Sequence, residues 1–285
     1  MRLCRYDDDR LGLVEGDQVA DVSAALDLLP AVRWPVPPGD LMIANLDRLR
    51  PVVESLAPTA ARTALAEVTL KSPVANPGKI IAAPVNYTAH LEESRADKGI
   101  NFGTHVRTID EYGVFLKANS SLVGPGEGVV SDWPERRIDH ELELAVVIGR
   151  GGRHIAQADA LAHVAGYALG LDMSVRGTED RSFRKSRDTF TVLGPWLVTA
   201  DEVPEPGRLD FRLEVNGEVR QESNTALLIF GVERLIAYAS AAYTLYPGDI
   251  SLTGPPEGGA PVEPGDVMSC WIDKVGAMDV AVRAP

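Results

Sequence analysis

The sequence has little cysteine, no long apolar run and a deficit of positive charge. Its 285 residues include only two cysteines, Cys4 and Cys270, which form no CxxC motif or Cys/His cluster. A disulfide framework and a structural zinc site are therefore poorly supported, and a reducing compartment fits. The longest apolar runs fall well short of the roughly 20 residues that span a bilayer. The N-terminus "MRLCRYDDDR" lacks the apolar core of a signal peptide, which favours a cytoplasmic protein.

The charge balance restricts the partners that the chain can bind. The formal net charge is −13, so the surface repels phosphate backbones and anionic membranes, and neither nucleic acid nor a membrane is expected as a partner. An acidic substrate would need cations concentrated at its binding site. Hydrophobic residues make up 45% of the chain and charged residues 24%, values typical of a globular protein with a sizeable core.

Turn signals and apolar periodicity predict a mainly β protein with some α+β elements. We expect a small N-terminal α+β domain over residues 1–70 and a larger domain over residues 71–285, joined near the proline-containing stretch "KSPVANPGK". In the first domain, the pattern predicts a hairpin that turns at Gly16 and a short helix over residues 58–68.

Two elements of the larger domain are clear from local sequence. Asn216-Gly217 supplies the positive φ angles of a type I′ turn and therefore predicts a hairpin over "LDFRLEVNGEVRQES". Apolar residues in residues 229–245 recur at helical spacing, which predicts an amphipathic helix.

The stretch "DHELELAVVIG", residues 139–149, places two glutamates two positions apart in an apolar strand. Residues i and i+2 of a strand point the same way, so Glu141 and Glu143 share a face. This face could simply be the solvated side of a half-buried strand. It turns apolar at Ala145 and Val147, however, which indicates that both faces are buried. Two buried carboxylates this close repel each other unless a cation lies between them.

A hard divalent cation is the natural partner of this glutamate pair, because Mg²⁺ and Mn²⁺ prefer oxygen ligands. Asp172 is the best candidate for a third ligand, since it ends the apolar run "GYALGLD". A helix cap or a strand-end turn is the alternative interpretation of Asp172.

Several segments, in this order, resemble the fumarylacetoacetate hydrolase family: "KIIAAPVNYTAHLEE", "FLKANSSLVGPGE", "HELELAVVIG", "GYALGLDMSVRGTED", "RKSRDTFTVLGPW", "VNGEVRQESNT" and "PGDISLTG". The resemblance covers roughly residues 75 to 283. It implies a mixed β-sandwich-like roll that holds one Mg²⁺ or Mn²⁺ on Glu141, Glu143 and Asp172, in a homodimer.

The resemblance also implies catalytic roles for three residues. His90 and Glu93 lie three positions apart in "NYTAHLEES", where the family has a lid whose His-Glu pair activates water. Glu92 competes with Glu93 for this role. Lys185 matches a lysine that stabilises developing enolate charge, although it could also belong to a solvated basic cluster.

Substrate contacts are expected from Arg176, which would meet the anionic end of the substrate, and from Glu179, Thr253 and Pro255. Two of these positions depart from the family pattern. Many members have glutamine at the position of Glu179, and a threonine at the position of Pro255. These departures affect the distal contacts of the substrate and leave the metal ligands unchanged.

The resemblance predicts metal-dependent hydrolysis of a carbon–carbon bond in a 2,4-dioxo acid, an acylpyruvate or fumarylacetoacetate-like compound, through a stabilised enolate. The alternative is a decarboxylase, isomerase or hydratase of a 2-oxo acid, of the oxaloacetate or 2-hydroxyhepta-2,4-diene-1,7-dioate type, at the same site. A third hypothesis is a non-catalytic binding protein, against which the retained metal ligands, His90, Glu93 and Lys185 argue. In either enzymatic case the partner is a small anionic 2-oxo acid.

Overall fold

The computed structural model of the chain describes residues 1–133 and 135–285 and consists mainly of strands. The strands are β1 (Arg2–Tyr6), β2 (Arg10–Glu15), β3 (Gln18–Asp21), β4 (Arg62–Ala64), β5 (Leu70–Lys71), β6 (Ile80–Ala82), β7 (Phe115–Lys117), β8 (Leu122–Val123), β9 (Val129–Val130), β10 (Ile138–Asp139), β11 (Leu142–Ile148), β12 (Val164–Asp172), β13 (Ser174–Val175), β14 (Thr191–Thr199), β15 (Asp210–Val215), β16 (Glu218–Asn224), β17 (Ile250–Leu252), β18 (Val267–Ile272) and β19 (Gly276–Arg283).

Helices are few and short, as the sequence predicts. The α-helices are α1 (Leu41–Ala44), α2 (Leu46–Leu56), α3 (Thr88–Ala96), α4 (Lys98–Asn101), α5 (Ile109–Tyr112), α6 (Arg181–Lys185) and α7 (Val232–Ala242). Short 3₁₀ helices are formed by Ser23–Leu28, Ala57–Thr59, Leu65–Glu67, Asn119–Ser121, Pro125–Glu127, Gln157–His163, Ala200–Glu202 and Thr225–Leu227. Among the described residues, none of these helices has both the length and the apolar character needed to cross a bilayer.

Most strands belong to two sheets. The larger sheet has 12 strands in the order β4-β3-β2-β1-β14-β12-β11-β17-β6-β7, with β5 added beside β1 and β8 beside β14. The second sheet has five strands in the order β16-β15-β18-β19-β9, and β10 pairs separately with β13. Long antiparallel pairs dominate the larger sheet, and the parallel pairs lie at β17 with β6 and at β14 with β8.

The N-terminal strands continue the larger sheet. Strand β1 pairs antiparallel with β14, with Arg2 opposite Val198 and Leu3 opposite Leu197. The expected hairpin is present as β2 and β3, and its turn places Gly16 at φ +63°. The division of the chain near residue 70 stays a prediction, although the sheet itself is continuous across it.

Local sequence predicted the second hairpin and missed the form of residues 58–68. Asn216 and Gly217 have φ angles of 53° and 81°, and they join β15 to β16 as expected. Residues 58–68 do not form one helix, because Arg62–Ala64 becomes an edge strand whose Thr63 lies opposite Val19. The predicted helix over residues 229–245 is shorter and runs over Val232–Ala242.

Strand β11 is buried on both faces, as the sequence indicates. Leu142, Leu144, Val146 and Ile148 pack into the larger apolar core, between the two sheets. Ala145 and Val147, on the opposite face, pack into a second core together with residues of the N-terminal strands and α2. Glu141 and Glu143 are therefore buried at the start of this strand, and their partners must come from other elements of the fold.

Candidate metal centre and active site

Three carboxylates converge at the end of the central strands. Glu141, Glu143 and Asp172 each offer an oxygen atom within 4.8 Å of the others, and the side chains are at most 2% exposed. Antiparallel pairing explains this convergence, because Leu142 lies opposite Leu171, so that Glu141 and Asp172 are neighbours across the strands. The Asp172 N–H donates to the Glu141 carbonyl oxygen at 2.9 Å and fixes this register.

Two lysines contact two of the three carboxylates, Glu141 and Asp172. The Lys185 Nζ atom donates to Glu141 Oε2 and, at 2.7 Å, to Asp172 Oδ2. Lys117, at the end of β7, donates through Nζ to Asp172 Oδ1 and to the Phe190 carbonyl oxygen at 2.7 Å. Sequence analysis assigned Lys185 to the site and missed Lys117. The sequence feature that could have indicated Lys117 is the occurrence of a charged residue in the short apolar strand "VFLKA".

The two glutamates differ in electrostatic environment. Burial opposes the charge of Glu141, but Lys185 and Arg176 outweigh it and lower the pKa of Glu141 to about 2. Burial, together with the negative charge of Asp172, raises the pKa of Glu143 well above its usual range. Among the described residues, no lysine or arginine forms an ion pair with Glu143, in contrast to Glu141 and Asp172.

The hydrogen bonds of Glu143 support a metal at this position. Its Oε2 accepts from the Gly254 N–H, which a φ of +94° directs toward the strand. Its Oε1 is buried and has no hydrogen-bond partner among the described residues. Three oxygen ligands with one orphaned oxygen match the preference of Mg²⁺ and Mn²⁺ for carboxylates. The residues present therefore fit a divalent cation.

His90 and Glu93 form the pair that the resemblance predicts. On helix α3, His90 Nδ1 lies 3.0 Å from Glu93 Oε2, while Glu92 is exposed. The other carboxylate oxygen of Glu93 accepts from the Gly258 N–H at 2.9 Å. His90 lines the same cavity as Glu141 and Lys185, so an imidazole, a lysine and the acidic cluster lie around one space. Glu93, rather than Glu92, is positioned to orient the imidazole.

Arg176 lies deeper than the sequence suggested. Its Nε donates to Asp139 Oδ2 at 2.7 Å and its Nη2 to Glu141 Oε1 at 3.0 Å, and Asp139 is held in turn by Arg137. Arg176 therefore positions a predicted metal ligand, and it also lines the cavity, where part of its guanidinium can meet a substrate.

The other three predicted substrate contacts, Glu179, Thr253 and Pro255, do not all lie at the cavity. Pro255 and Glu179 line the cavity, as expected of substrate contacts. Thr253 does not, since it is fully buried and its Oγ1 donates to the Leu144 carbonyl oxygen at 3.0 Å. Glu179 is not a free anion, because Arg136 binds both of its oxygens at 3.0 Å.

The cavity that these groups line has a volume of about 280 Å³. Residues 94–112, in the predicted lid segment, contribute a second part of the cavity lining. The segment that contains helices α3 to α5 has a small apolar cluster, distinct from the main cores, formed by Leu91 of α3 and by Val85 and Val106 of the adjoining loops. Lining residues from this region are Ser94, Ile100, Asn101, Phe102, Thr104, Val106 and Tyr112. The cavity is thus enclosed between rigid strands on one side and short helices on the other.

Comparison with known proteins agrees with this site. The model of the fumarylacetoacetate (FAA) hydrolase C-terminal region matches residues 79–283. A maleylpyruvate hydrolase of Aquipseudomonas alcaligenes is 54% identical over 286 residues, which cover 100% of both chains. A mitochondrial oxaloacetate tautomerase of Homo sapiens is 38% identical over 248 residues, covering 82% of this chain and 75% of the relative.

Solved structures match over the whole chain. The maleylpyruvate hydrolase of Sphingobium sp. SYK-6 has a TM-score of 0.85 at 44% identity, with 100% of both chains covered. A second structure of that hydrolase, in complex with manganese(II) ion and pyruvate, has a TM-score of 0.84 at 43% identity and covers 100% of this chain and 99% of the other. These similarities confirm the predicted fold, and the chain belongs to the fumarylacetoacetate hydrolase family.

Proposed function

We propose that the chain hydrolyses maleylpyruvate to maleate and pyruvate. The reaction class is the one predicted from sequence, divalent-metal-dependent cleavage of a C–C bond in an acylpyruvate, and relatives matched over their full length carry this activity. The observation that supports the proposal most strongly is that one cavity is lined by His90, which Glu93 orients, and by Glu141, a member of the Glu141, Glu143 and Asp172 cluster.

In this proposal, Glu141, Glu143 and Asp172 hold Mg²⁺ or Mn²⁺. The bound cation supplies a Lewis acid for the oxygens of the 2-oxo acid. Lys185, which contacts two of the three carboxylates, offers an ammonium group to the negative charge that develops on the enolate oxygen. Arg176 holds Glu141 in place through its own hydrogen bond.

His90 acts as the general base in the proposed hydrolysis. Glu93 fixes the tautomer and orientation of the imidazole through Nδ1, so that Nε2 can take a proton from water. The water oxygen bonds to C4, the C3–C4 bond breaks, and its electron pair stays with the pyruvate fragment as the enolate. Protonation at C3 then yields pyruvate, and the acyl fragment leaves as a carboxylate.

The test is turnover of maleylpyruvate by the purified chain with Mn²⁺, followed by release of maleate and pyruvate. We expect His90→Ala to lower kcat by about 10²- to 10⁴-fold, the usual contribution of a general base. Oxalate should still bind to this variant in the presence of Mn²⁺. Absence of turnover by the unmodified chain would contradict the proposed substrate, and full turnover by His90→Ala would contradict the role of His90.

Oxaloacetate tautomerisation is a second candidate, because relatives at 38% identity are oxaloacetate tautomerases. The same acidic cluster and Lys185 could stabilise the enol of oxaloacetate. Parallel assays with oxaloacetate and maleylpyruvate separate the candidates. Loss of the enol signal without new products favours tautomerisation, and maleate with pyruvate favours hydrolysis.

The assembly and location predicted from sequence also belong to this proposal. We propose a cytoplasmic homodimer with no nucleic-acid or membrane partner. The net charge of −13 supports the absence of anionic macromolecular partners. Light scattering coupled to size-exclusion chromatography would report the mass of the assembly, for comparison with 30.6 kDa per chain.

A further inference from the structure

Helix α6 presents a row of cations to the cavity. Arg181, Arg184 and Lys185 line it, whereas Ser182 and Phe183 point outward and are exposed. Positions i, i+3 and i+4 of a helix share one face, which explains this division. Lys185 reaches the acidic cluster, so the two arginines lie farther along the same wall of the cavity.

Neither arginine forms an ion pair with a carboxylate among residues 1–133 and 135–285. Arg184 donates through Nε to the Glu179 carbonyl oxygen at 2.8 Å and through Nη1 to the Val175 carbonyl oxygen at 3.0 Å. The guanidinium carbon of Arg181 lies 3.8 Å from the centre of the Tyr112 ring. In the part of the chain that the structure describes, no carboxylate forms an ion pair with either guanidinium, although acidic residues outnumber basic ones by 41 to 28.

The acidic groups closest in sequence are engaged elsewhere. Glu179 is bound through both carboxylate oxygens by Arg136, and Asp180 accepts from the Ser182 N–H at 2.8 Å. Burial and the neighbouring charge of Arg176 lower the pKa of Arg184, the direction expected of a cation without a counter-ion. The backbone bonds fix the Arg184 guanidinium in place beside the cavity, where none of the described carboxylates is paired with it.

We propose that Arg184, supported by Arg181, binds a carboxylate at the distal end of the acyl group and thereby selects acylpyruvates with a carboxylate-terminated acyl chain. This inference rests on the proposed hydrolysis, which places the 2-oxo acid end beside Lys185. One helical turn, about 6 Å along the axis, separates Lys185 from Arg181. The distal carboxylate of a four-carbon acyl group therefore falls within the span of α6. A guanidinium held by backbone carbonyls is preorganised for such a charge-assisted hydrogen bond.

The test compares maleylpyruvate with acetylpyruvate, which shares the 2,4-dioxo acid and lacks the distal carboxylate. We expect Arg184→Met to lower kcat/KM for maleylpyruvate by about 10- to 100-fold, mainly through KM, the effect of losing one charged hydrogen bond. The loss for acetylpyruvate should be at least fivefold smaller. Arg184→Lys should recover part of the preference. Arg187→Met is the matched control, since Arg187 pairs with Asp132 outside this cavity and its loss should not alter the ratio between substrates.

Equal losses for both substrates, or no loss in Arg184→Met, would overturn the inference. Turnover of neither substrate by the unmodified chain would instead overturn the proposed function, and the selectivity inference with it. A second measurement uses only the unmodified chain, so its result does not depend on whether a variant folds. With Mn²⁺ and pyruvate present, maleate should inhibit the unmodified chain about tenfold more strongly than isocrotonate, in which a methyl group replaces one carboxylate. Equal inhibition would contradict a distal carboxylate site.

Discussion

The carboxylate of Glu93 accepts a hydrogen bond from the Gly258 N–H, 2.9 Å away, and so joins helix α3, the predicted lid segment, to the loop that contains Gly258. Its second oxygen contacts the His90 imidazole. A single side chain therefore both orients the proposed base and ties the predicted lid segment to the loop of residues 254–259, "GPPEGG". Orientation of the base and closure of the lid should change together when Glu93 is altered.

Glu93→Gln should lower kcat and raise KM together. The amide keeps the shape of the side chain but removes the charge that orients the imidazole, so we expect a loss smaller than the roughly 10²- to 10⁴-fold effect of removing the base. Glu92→Gln is the matched control, because Glu92 is the exposed neighbour on the same helix. Steady-state kinetics on both variants test which glutamate orients His90. An equal or larger loss of kcat in Glu92→Gln would assign this role to Glu92 instead of Glu93.

Lys117→Met should destabilise the metal-free protein more than the metal-bound protein. Lys117 is buried against Asp172, and loss of one member of a buried pair costs about 3–5 kcal/mol of unfolding free energy. With Mn²⁺ bound, the cation compensates Asp172, and the cost should be smaller. Urea unfolding with and without Mn²⁺ gives the two values.

The control for Lys117 is a second lysine whose carboxylate partner is buried. Lys79 pairs with Asp249 away from the acidic cluster. Lys79→Met should destabilise the protein by the same amount with and without Mn²⁺. A Lys117→Met effect that is equally independent of the metal would show that the cation does not share Asp172 with this lysine.

Metal removal should abolish turnover and leave the fold intact. The ammonium groups of Lys117 and Lys185 already pair with the acidic cluster, and two apolar cores surround it, so folding does not depend on the cation. Mn²⁺ at 100 times its Kd should add about 2.7 kcal/mol to the free energy of unfolding. Circular dichroism and thermal unfolding after chelation provide the measurement. A random-coil spectrum without metal would contradict the prediction.

Both thiols should resist alkylation in the native protein. Burial raises the pKa of the Cys4 thiol to about 12, and burial also raises that of Cys270. At pH 8 a thiol with this pKa is deprotonated in about one molecule in ten thousand, and the thiolate is the reactive form. Mass spectrometry after iodoacetamide treatment should find both cysteines modified only in urea. Rapid native labelling of either would indicate local opening of its strand.

Sequence patterns predicted the parts of the site that depend on short spacing. The i, i+2 spacing of Glu141 and Glu143 and the i, i+3 spacing of His90 and Glu93 fix which faces these residues share, and the structure places them accordingly. The position of Asp172 followed from an isolated charge at the end of an apolar run. Each of these inferences needs only the geometry of one element.

Other parts of the site depend on contacts between distant elements. Lys117 lies 55 residues before Asp172, and nothing near it in sequence marks this partner. The neutralisation of Glu179 by Arg136 likewise spans 43 residues. Within residues 58–68, which have helical composition, Arg62–Ala64 pairs with β3 as an edge strand, because tertiary contacts override a weak intrinsic preference. Thr253 was expected in the cavity, yet its hydroxyl is used by the strand backbone.

The burial of β11 on both faces has a consequence for how this scaffold can diversify. The three carboxylates lie on strands fixed between two cores, where a substitution would disturb packing as well as chemistry. The arginines of α6 lie on a five-residue helix at the rim of the cavity, with exposed neighbours on its outer side. If Arg184 selects the substrate as proposed, substitutions on α6 alter the accepted acyl group without removing a residue of either apolar core. Substitutions on α6 can therefore change the substrate while the three carboxylates stay the same.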